Sequence, residues 1–334
     1  MISPVRGRFE RLFPRERLFP VDRVERMGEA FDALDHQRPA TCGAYALSYL
    51  FPALDMVEHE GHSLEAEDYL ADLAAVAVEE YEVQPSLAIS RRVADGELSE
   101  AQALQVFGKA WYRYPVRSSS DPVESGTSPT GVARAITIGS SGRLSVVPVP
   151  ARLADGEIQL TAARWSLLLD GLAERVDDWR WHAIFNYETD RLLRPNDASF
   201  TPENLRAADS TERIPRDDWG VGHFVGLAGL WRMGGAGPWW LLLFDTYKER
   251  GFDGYQPQPA ELMRQGIVRS DGREGGVLLI LPAEKAVDAL NWLNSLGIDA
   301  RMWSNGSLEP VDWTWTSPAG SARNLTSTGG TVGA

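Results

Sequence analysis

The sequence predicts an α+β domain in which helices come first and an antiparallel sheet follows, and three observations carry that expectation. Apolar residues recur at helical spacing up to Trp111, as Leu47, Leu50 and Phe51, then Leu70, Leu73, Ala77 and Tyr81, then Leu104, Phe107 and Trp111. Later in the chain, short apolar runs bounded by turn residues take over, at 222–231, 239–245 and 277–281. The first two of these runs flank the Gly-rich segment 232–238, the pattern of a hairpin.

Taken in order, residues 1–20 form an arm with two Arg-Leu-Phe-Pro units, expected to dock through Leu12, Phe13, Leu18 and Phe19. A helix is predicted over 22–34, and a second follows the loop 35–43, with Thr41 placed to cap it and Pro52 limiting it. A third helix is predicted over 64–81, and a fourth opens at Ser99 with Gln102 three residues on, a capping box. Residues 118–131, rich in Ser, Pro, Gly and Thr, read as a loop. Alternation in 133–139 and 143–149 about Ser140-Ser141 predicts a hairpin. A helix over 162–176, a strand over 179–187 and a short helix opening at Thr201-Pro202 come next, followed by the polar stretch 209–218. After the central hairpin come a strand over 277–281, a helix over 283–296 ended by Gly297, and a strand over 298–303. The Ser/Gly/Thr-rich tail from residue 316 is expected to be disordered.

Composition narrows the function classes. Of 334 residues, 33 are Lys or Arg and 47 are Asp or Glu, a formal net charge of −14, so the basic face that nucleic acid requires is not expected. The chain is long enough for two domains, or for one enlarged by an insertion. No apolar run approaches the ~20 residues that span a bilayer, and the N-terminus lacks a secretory pattern, so cytoplasmic residence is the default expectation. Only 3 of the 33 basic residues are lysine, a bias of GC-rich bacterial coding. The single Cys42 excludes an internal disulfide and singles out one thiol.

Cys42 lies where a loop becomes a helix, and the unpaired N–H groups and dipole of a helix start favour a thiolate. A lone cysteine is more often a small buried hydrophobe, so its neighbours decide the reading. Gln37, five residues earlier, carries an amide able to donate to the same oxygen as the Cys42 backbone N–H, an oxyanion hole. A thiolate nucleophile also needs a base and a group to orient that base. In a symmetric hairpin the numbers of opposed residues have a constant sum. A turn centred on Gly234 places His223 opposite Asp245, on one face. A slip of one residue would part them.

The segments 37–47 and 223–245 resemble the papain-like cysteine peptidases, and most closely stand-alone relatives of the bacteriocin-processing, double-glycine-leader branch. Those share a Gln, a short loop, Cys-Gly and an Ala/Leu-rich helix, then His-Phe-Val on a strand whose return strand ends in Asp. Here these stand as Gln37, Cys42, Gly43, Ala44 and Leu47, then His223, Phe224, Val225 and Asp245. The resemblance implies a papain-like fold over residues 21–310, a Cys-bearing helix packed on an antiparallel sheet bearing His and Asp. It implies Cys42 as nucleophile, His223 as general base and acid, Asp245 as orienter and Gln37 as oxyanion donor. It covers about a fifth of the chain. The long separation of Cys42 and His223 implies an insertion over about 83–178, no transporter segment is attached, and Asp245 is followed by Thr246-Tyr247-Lys248 rather than the Pro common in that branch.

Other residues have plainer readings beside their chemical ones. His59 and His62 with Glu58 and Glu60 could seed a metal site, but a polar loop is the simpler account. His182 could serve as a base, though a structural histidine is the more frequent case, and His36 could line the cleft or sit in solvent. The tryptophans around the hairpin, Trp219, Trp231, Trp239 and Trp240, could form a groove or simply a core, and the acidic clusters at Glu79 and Asp217 read as solvated surface. The Gly-rich pieces lack the Lys-Ser/Thr ending of a phosphate loop. The expected activity is therefore thiol-dependent hydrolysis of a peptide or amide bond in a peptide or protein substrate, with no metal or organic cofactor. Acyl transfer to an amine or cleavage of an isopeptide by the same residues, making the protein an acyl transferase or amidase, and a catalytically silent binding or regulatory module are the alternatives.

Overall fold

The hairpin predicted from the two apolar runs forms the centre of the molecule. The computed structural model describes residues 7, 9–11, 13, 17–20, 24–195, 199–201, 204 and 214–318. Its helices are α1 (Val24–Ala33), α2 (Cys42–Ala53), α3 (Glu67–Leu73), α4 (Glu80–Ala94), α5 (Glu100–Phe107), α6 (Pro129–Gly139), α7 (Ala162–Glu174), the single turn α8 (Val176–Trp179), α9 (Ala260–Val268) and α10 (Ala286–Ser295). Its strands are β1 (Phe19–Pro20), β2 (Glu58–His59), β3 (His62–Ser63), β4 (Ala77–Glu79), β5 (Arg117–Ser119), β6 (Leu144–Pro150), β7 (His182–Glu188), β8 (Gly222–Arg232), β9 (Trp239–Phe244), β10 (Tyr255–Pro259) and β11 (Gly276–Pro282). The architecture is α+β. Among the described residues, no helix is long and apolar enough to cross a membrane.

Six strands run in the order β10-β9-β8-β7-β11-β6, with every neighbouring pair antiparallel. The two-residue β1 adds to β8 beyond the point where β7 stops, pairing Phe19 with Leu230. Successive residues of β7, β9 and β10 are all buried, so both faces of the sheet are covered, and β9, Trp-Trp-Leu-Leu-Leu-Phe, reads as a continuous apolar run rather than an alternating one. The edge strand β10, Tyr-Gln-Pro-Gln-Pro, carries two prolines where missing N–H groups cost no ladder bond. Gln258 closes that edge by accepting from Leu193 N–H and donating to Leu193 C=O, both at 2.8 Å.

Helix α2 is apolar all round because it is buried all round, and it packs on β8. Tyr49 fixes this docking: its hydroxyl accepts from Gly226 N–H at 2.9 Å and donates to Phe244 C=O at 3.3 Å. A β-carbon on Gly226 would lie 2.6 Å from that hydroxyl, so glycine is required for the approach. The N-terminal arm docks at the turn end of the hairpin, where Phe9 and Phe13 lie 5.1 and 4.5 Å from the Trp231 ring. His223 stands at the other end of β8, eight residues or roughly 25 Å from Trp231 at strand rise, so the described part of the arm is far from it.

Several expected elements form as read: the Ser99–Gln102 capping box, the helix begun at Ala162 as α7, and Gly297 with φ +70° after α10. Others differ. Residues 133–139 belong to helix α6 rather than a strand, because Ser128 accepts from Gly131 N–H at 3.0 Å and Pro129 occupies the first turn. The helix predicted over 64–81 is broken into α3, β4 and the start of α4, turning at Ala75 with φ +50°. Residues 298–303 form no strand, while β10 and α9 lie in a stretch the periodicity left blank. Within 83–178, α6, β6 and α7 join the main core, and Ile89, Ala103 and Trp111 make a small core of their own between α4 and α5. Of the helix expected to open at Thr201-Pro202 only Thr201 and Asn204 are described, and the tail from residue 319 lies outside the described residues.

Candidate functional site

Helix α2 begins at Cys42, and the loop leading into it is pinned from several sides. Glu67 Oε1, at the start of α3, accepts from Arg38 N–H at 2.6 Å and from Thr41 Oγ1–H at 2.5 Å. Tyr45, one turn into α2, donates its hydroxyl to Asp35 C=O at 2.6 Å, and the Arg38 guanidinium donates to Trp111 C=O at 2.8 Å. Burial raises the Glu67 carboxyl, opposed by the Thr41 and Arg38 hydrogen bonds and by the charges of Lys109 and Arg38. Thr41 holds the predicted cap position but makes no cap. Its hydroxyl turns to Glu67, which leaves the first-turn N–H groups of α2 without a side-chain acceptor. Ala40 adopts φ +60°, a costly conformation for a residue with a β-carbon, directly before this helix start.

Glycine at 43 has a packing reason. A β-carbon there would lie 2.7 Å from Thr127 Cγ2 and 2.8 Å from Val132 Cγ2, so only glycine lets α2 start this close to α6.

The histidine and the carboxylate come together by a route different from the symmetric hairpin. Between turn and bulge the opposed numbers sum to 471, as in Trp231↔Trp240, and on that register His223 and Asp245 would point to opposite faces. Leu227 opposes Leu243 while Gly229 opposes Leu242, so Ala228 is an extra residue and the sum becomes 470. The bulge restores the parity. His223 and Asp245 are diagonal rather than directly opposed, and His223 Nε2 lies 3.2 Å from Asp245 Oδ1. Thr246 Oγ1 lies 3.1 Å from the same nitrogen. Cys42 is the other neighbour whose side chain acts on the titration of this ring. His223 and Asp245 are each 1% exposed, and Cys42 is 9% exposed. Burial disfavours the charged ring, but the hydrogen bonds to Asp245 and Cys42 and their negative charge outweigh it and raise His223 from 6.5 to about 9.

Cys42, His223 and Gln37 line one cleft of about 590 Å³. Glu79 and Glu82 form part of one wall, Thr127 and Asn305 line another part, and Trp219 and Tyr247 flank the histidine. Gln37 Nε2 donates to the Tyr247 hydroxyl at 2.9 Å. The Tyr247 N–H donates to Asp245 Oδ1 at 2.9 Å, and its ring lies 5.3 Å from that of His223. Trp219 packs 5.7 Å from His223 and is covered on its other side by the Arg250 guanidinium, 4.5 Å away.

The remaining sequence candidates fall elsewhere. His36 is exposed and pairs with Glu249 at 3.3 Å. His182 lies opposite Ile280, five residues along β7 from the Tyr187 that faces His223. His59 and His62 are partners across the β2–β3 hairpin and hydrogen-bond Tyr69 and Tyr114 at 2.8 and 2.9 Å. Among the described residues no group of three or more His, Cys, Asp or Glu could hold a metal. Asp217 is not solvated surface: it is buried and paired with Arg250.

Sequence reading missed the parts played by Glu67 and Tyr247. Strand alternation carried two residues past Asp245 could have placed Tyr247 on the same face. No local signal marks Glu67, whose partners are 26 and 29 residues away. No curated protein matches the sequence. A family of unknown function, DUF6885, matches residues 21–304, which is most of the chain, and the protein belongs to that family.

Proposed function

We propose that the cleft performs acyl transfer to water, hydrolysing a peptide or amide bond through a Cys42-His223-Asp245 triad in the manner of the papain-like cysteine peptidases. The observation that carries this reading is the His223 ring, hydrogen-bonded to a buried carboxylate and lining one cleft together with the sole thiol, whose side chain acts on its titration. A protonated imidazole beside the sulfur stabilises the thiolate, and Asp245 stabilises that protonated ring.

Cys42 Sγ attacks the carbonyl carbon, a C–S bond forms, and the carbonyl electron pair moves onto oxygen. The resulting oxyanion is met by the uncapped N–H groups at the start of α2 and by the Gln37 amide. Collapse expels the amine, which takes its proton from His223. Water then attacks the thioester, giving a proton to His223 and releasing the acid and the free thiol.

The test uses a peptide library read by mass spectrometry in ¹⁸O-labelled water, together with the phenolate burst from an activated ester. Cleavage with ¹⁸O in the new carboxylate, and a burst lost in Cys42→Ala and His223→Ala, is the expected result. A burst whose acyl group passes mainly to an added amine would make the protein a transferase. No cleavage and no Cys42-dependent burst would leave a silent binding module.

A further inference from the structure

We propose that Tyr247 is the positioning residue of the oxyanion site, holding the Gln37 amide so that its second N–H points into the cleft. The inference rests on the acyl-transfer reading above and goes beyond it in assigning a role to a residue outside the Cys-His-Asp set.

Three contacts converge on Tyr247. Its hydroxyl accepts from Gln37 Nε2 at 2.9 Å, its N–H donates to Asp245 Oδ1 at 2.9 Å, and its ring lies 5.3 Å from the His223 ring at an interplanar angle of 35°. The edge of Trp219 meets the same ring at 4.9 Å. Gln37, by contrast, sits on a loop, and its Oε1 has no hydrogen-bond partner among the described residues. A glutamine side chain has three rotatable bonds, so without the phenol its amide would sample several directions. A carboxamide nitrogen has two N–H groups, and with one spent on Tyr247 the other remains for an oxyanion. Burial, reinforced by the charges of Cys42 and Asp245, holds the phenol protonated well above its ordinary range, so it remains a neutral acceptor near neutral pH. One residue thus ties the orientation of the amide donor to that of the carboxylate and the imidazole.

Two reactions at the same sulfur separate positioning of the oxyanion donor from general support of the site. Iodoacetamide alkylates the thiolate by simple displacement: a C–S bond forms at its methylene carbon and iodide leaves, with no oxyanion. p-Nitrophenyl acetate acylates the thiolate through a tetrahedral oxyanion: a C–S bond forms, p-nitrophenolate leaves, and water later releases acetate. In Tyr247→Phe, which removes only the hydroxyl, acylation is expected to fall about ten- to a hundredfold while alkylation stays within about twofold. Gln37→Ala reads the same hydrogen bond from the loop side without touching the aromatic packing, and should show the same selective loss. The double variant should lose no more than the larger single loss, because the two groups act as a unit.

Unchanged acylation in Tyr247→Phe, an equal fall in both reactions, or losses that multiply in the double variant would overturn the assignment. Slow alkylation and no burst in the unaltered protein would remove the acyl-transfer reading and this inference with it. A fast burst in that protein with an unaffected Tyr247→Phe would remove this inference alone.

Discussion

Asp245→Asn is the perturbation whose consequence the structure states most fully. The carboxylate is buried, accepts from the His223 ring at 3.2 Å and from Tyr247 N–H at 2.9 Å, and supplies the largest of the effects that raise His223 to about 9 against the penalty of burial. Asparagine keeps the shape and an acceptor but removes the charge, while burial remains. The His223 midpoint should therefore fall toward or below the ordinary 6.5. At pH 7.5 a ring titrating near 9 is about 97% protonated and one titrating at 6.5 about 9%, a roughly tenfold loss of the imidazolium that stabilises the thiolate. The chain has five histidines, so selectively ¹³C-labelled imidazole can be titrated by NMR and the His223 signal assigned from its absence in His223→Ala. A midpoint near 9 that drops by more than one pH unit in Asp245→Asn is expected. An unaltered midpoint in the variant, or a His223 in the parent protein that titrates near 6.5, would refute the electrostatic reasoning.

Three other outcomes follow from the same geometry. Because the folded-state value of His223 lies above the unfolded one, its stabilising contribution is full below about 6.5 and lost as pH rises through about 9, so urea midpoints should decline over that window and decline less in Asp245→Asn. Glu67→Gln leaves the buried Arg38 without its charge partner and weakens the bonds to Arg38 N–H and Thr41. A loss of about 3 kcal/mol in urea denaturation, with slower Cys42 alkylation in the folded variant, is expected. Ala40→Gly removes the φ +60° penalty and should raise stability by about 1 kcal/mol, whereas Gly43→Ala, meeting Thr127 and Val132, should lower it by about 1–3 kcal/mol.

What the sequence revealed and what it hid have separate physical causes. Helix α2 and strands β8, β9 and β11 were legible because their apolar content is dense and their ends are marked by Pro, Gly or charge. Helix α6 was hidden because Ala-Arg-Ala-Ile-Thr-Ile alternates like a strand, although Ser128-Pro129 carried a start signal that the periodicity overrode. The break after α3 had no glycine to announce it, since Ala75 takes the left-handed conformation itself.

The pairing of His223 with Asp245 was reached through a register that the structure does not have. The turn centre lies later than Gly234, which alone would have separated the two side chains, and the bulge at Ala228 compensates. Gly226 and Gly229 flank the bulge, a local signal that the strand is irregular there without saying how far its register shifts, and Tyr49 donates to Phe244 C=O and accepts from Gly226 N–H beside it. Glu67 and Tyr247 act across 29 and 210 positions of chain, and such contacts exist only once the fold brings them together.

Whether Cys42 and His223 work as one reactive pair is read from the rate of Cys42 alkylation by iodoacetamide near neutral pH. Alkylation much faster than that of free cysteine is expected, with a return to the slow rate of a free thiol in His223→Ala. A parent protein that alkylates no faster than free cysteine, or a rate indifferent to His223→Ala, would contradict it.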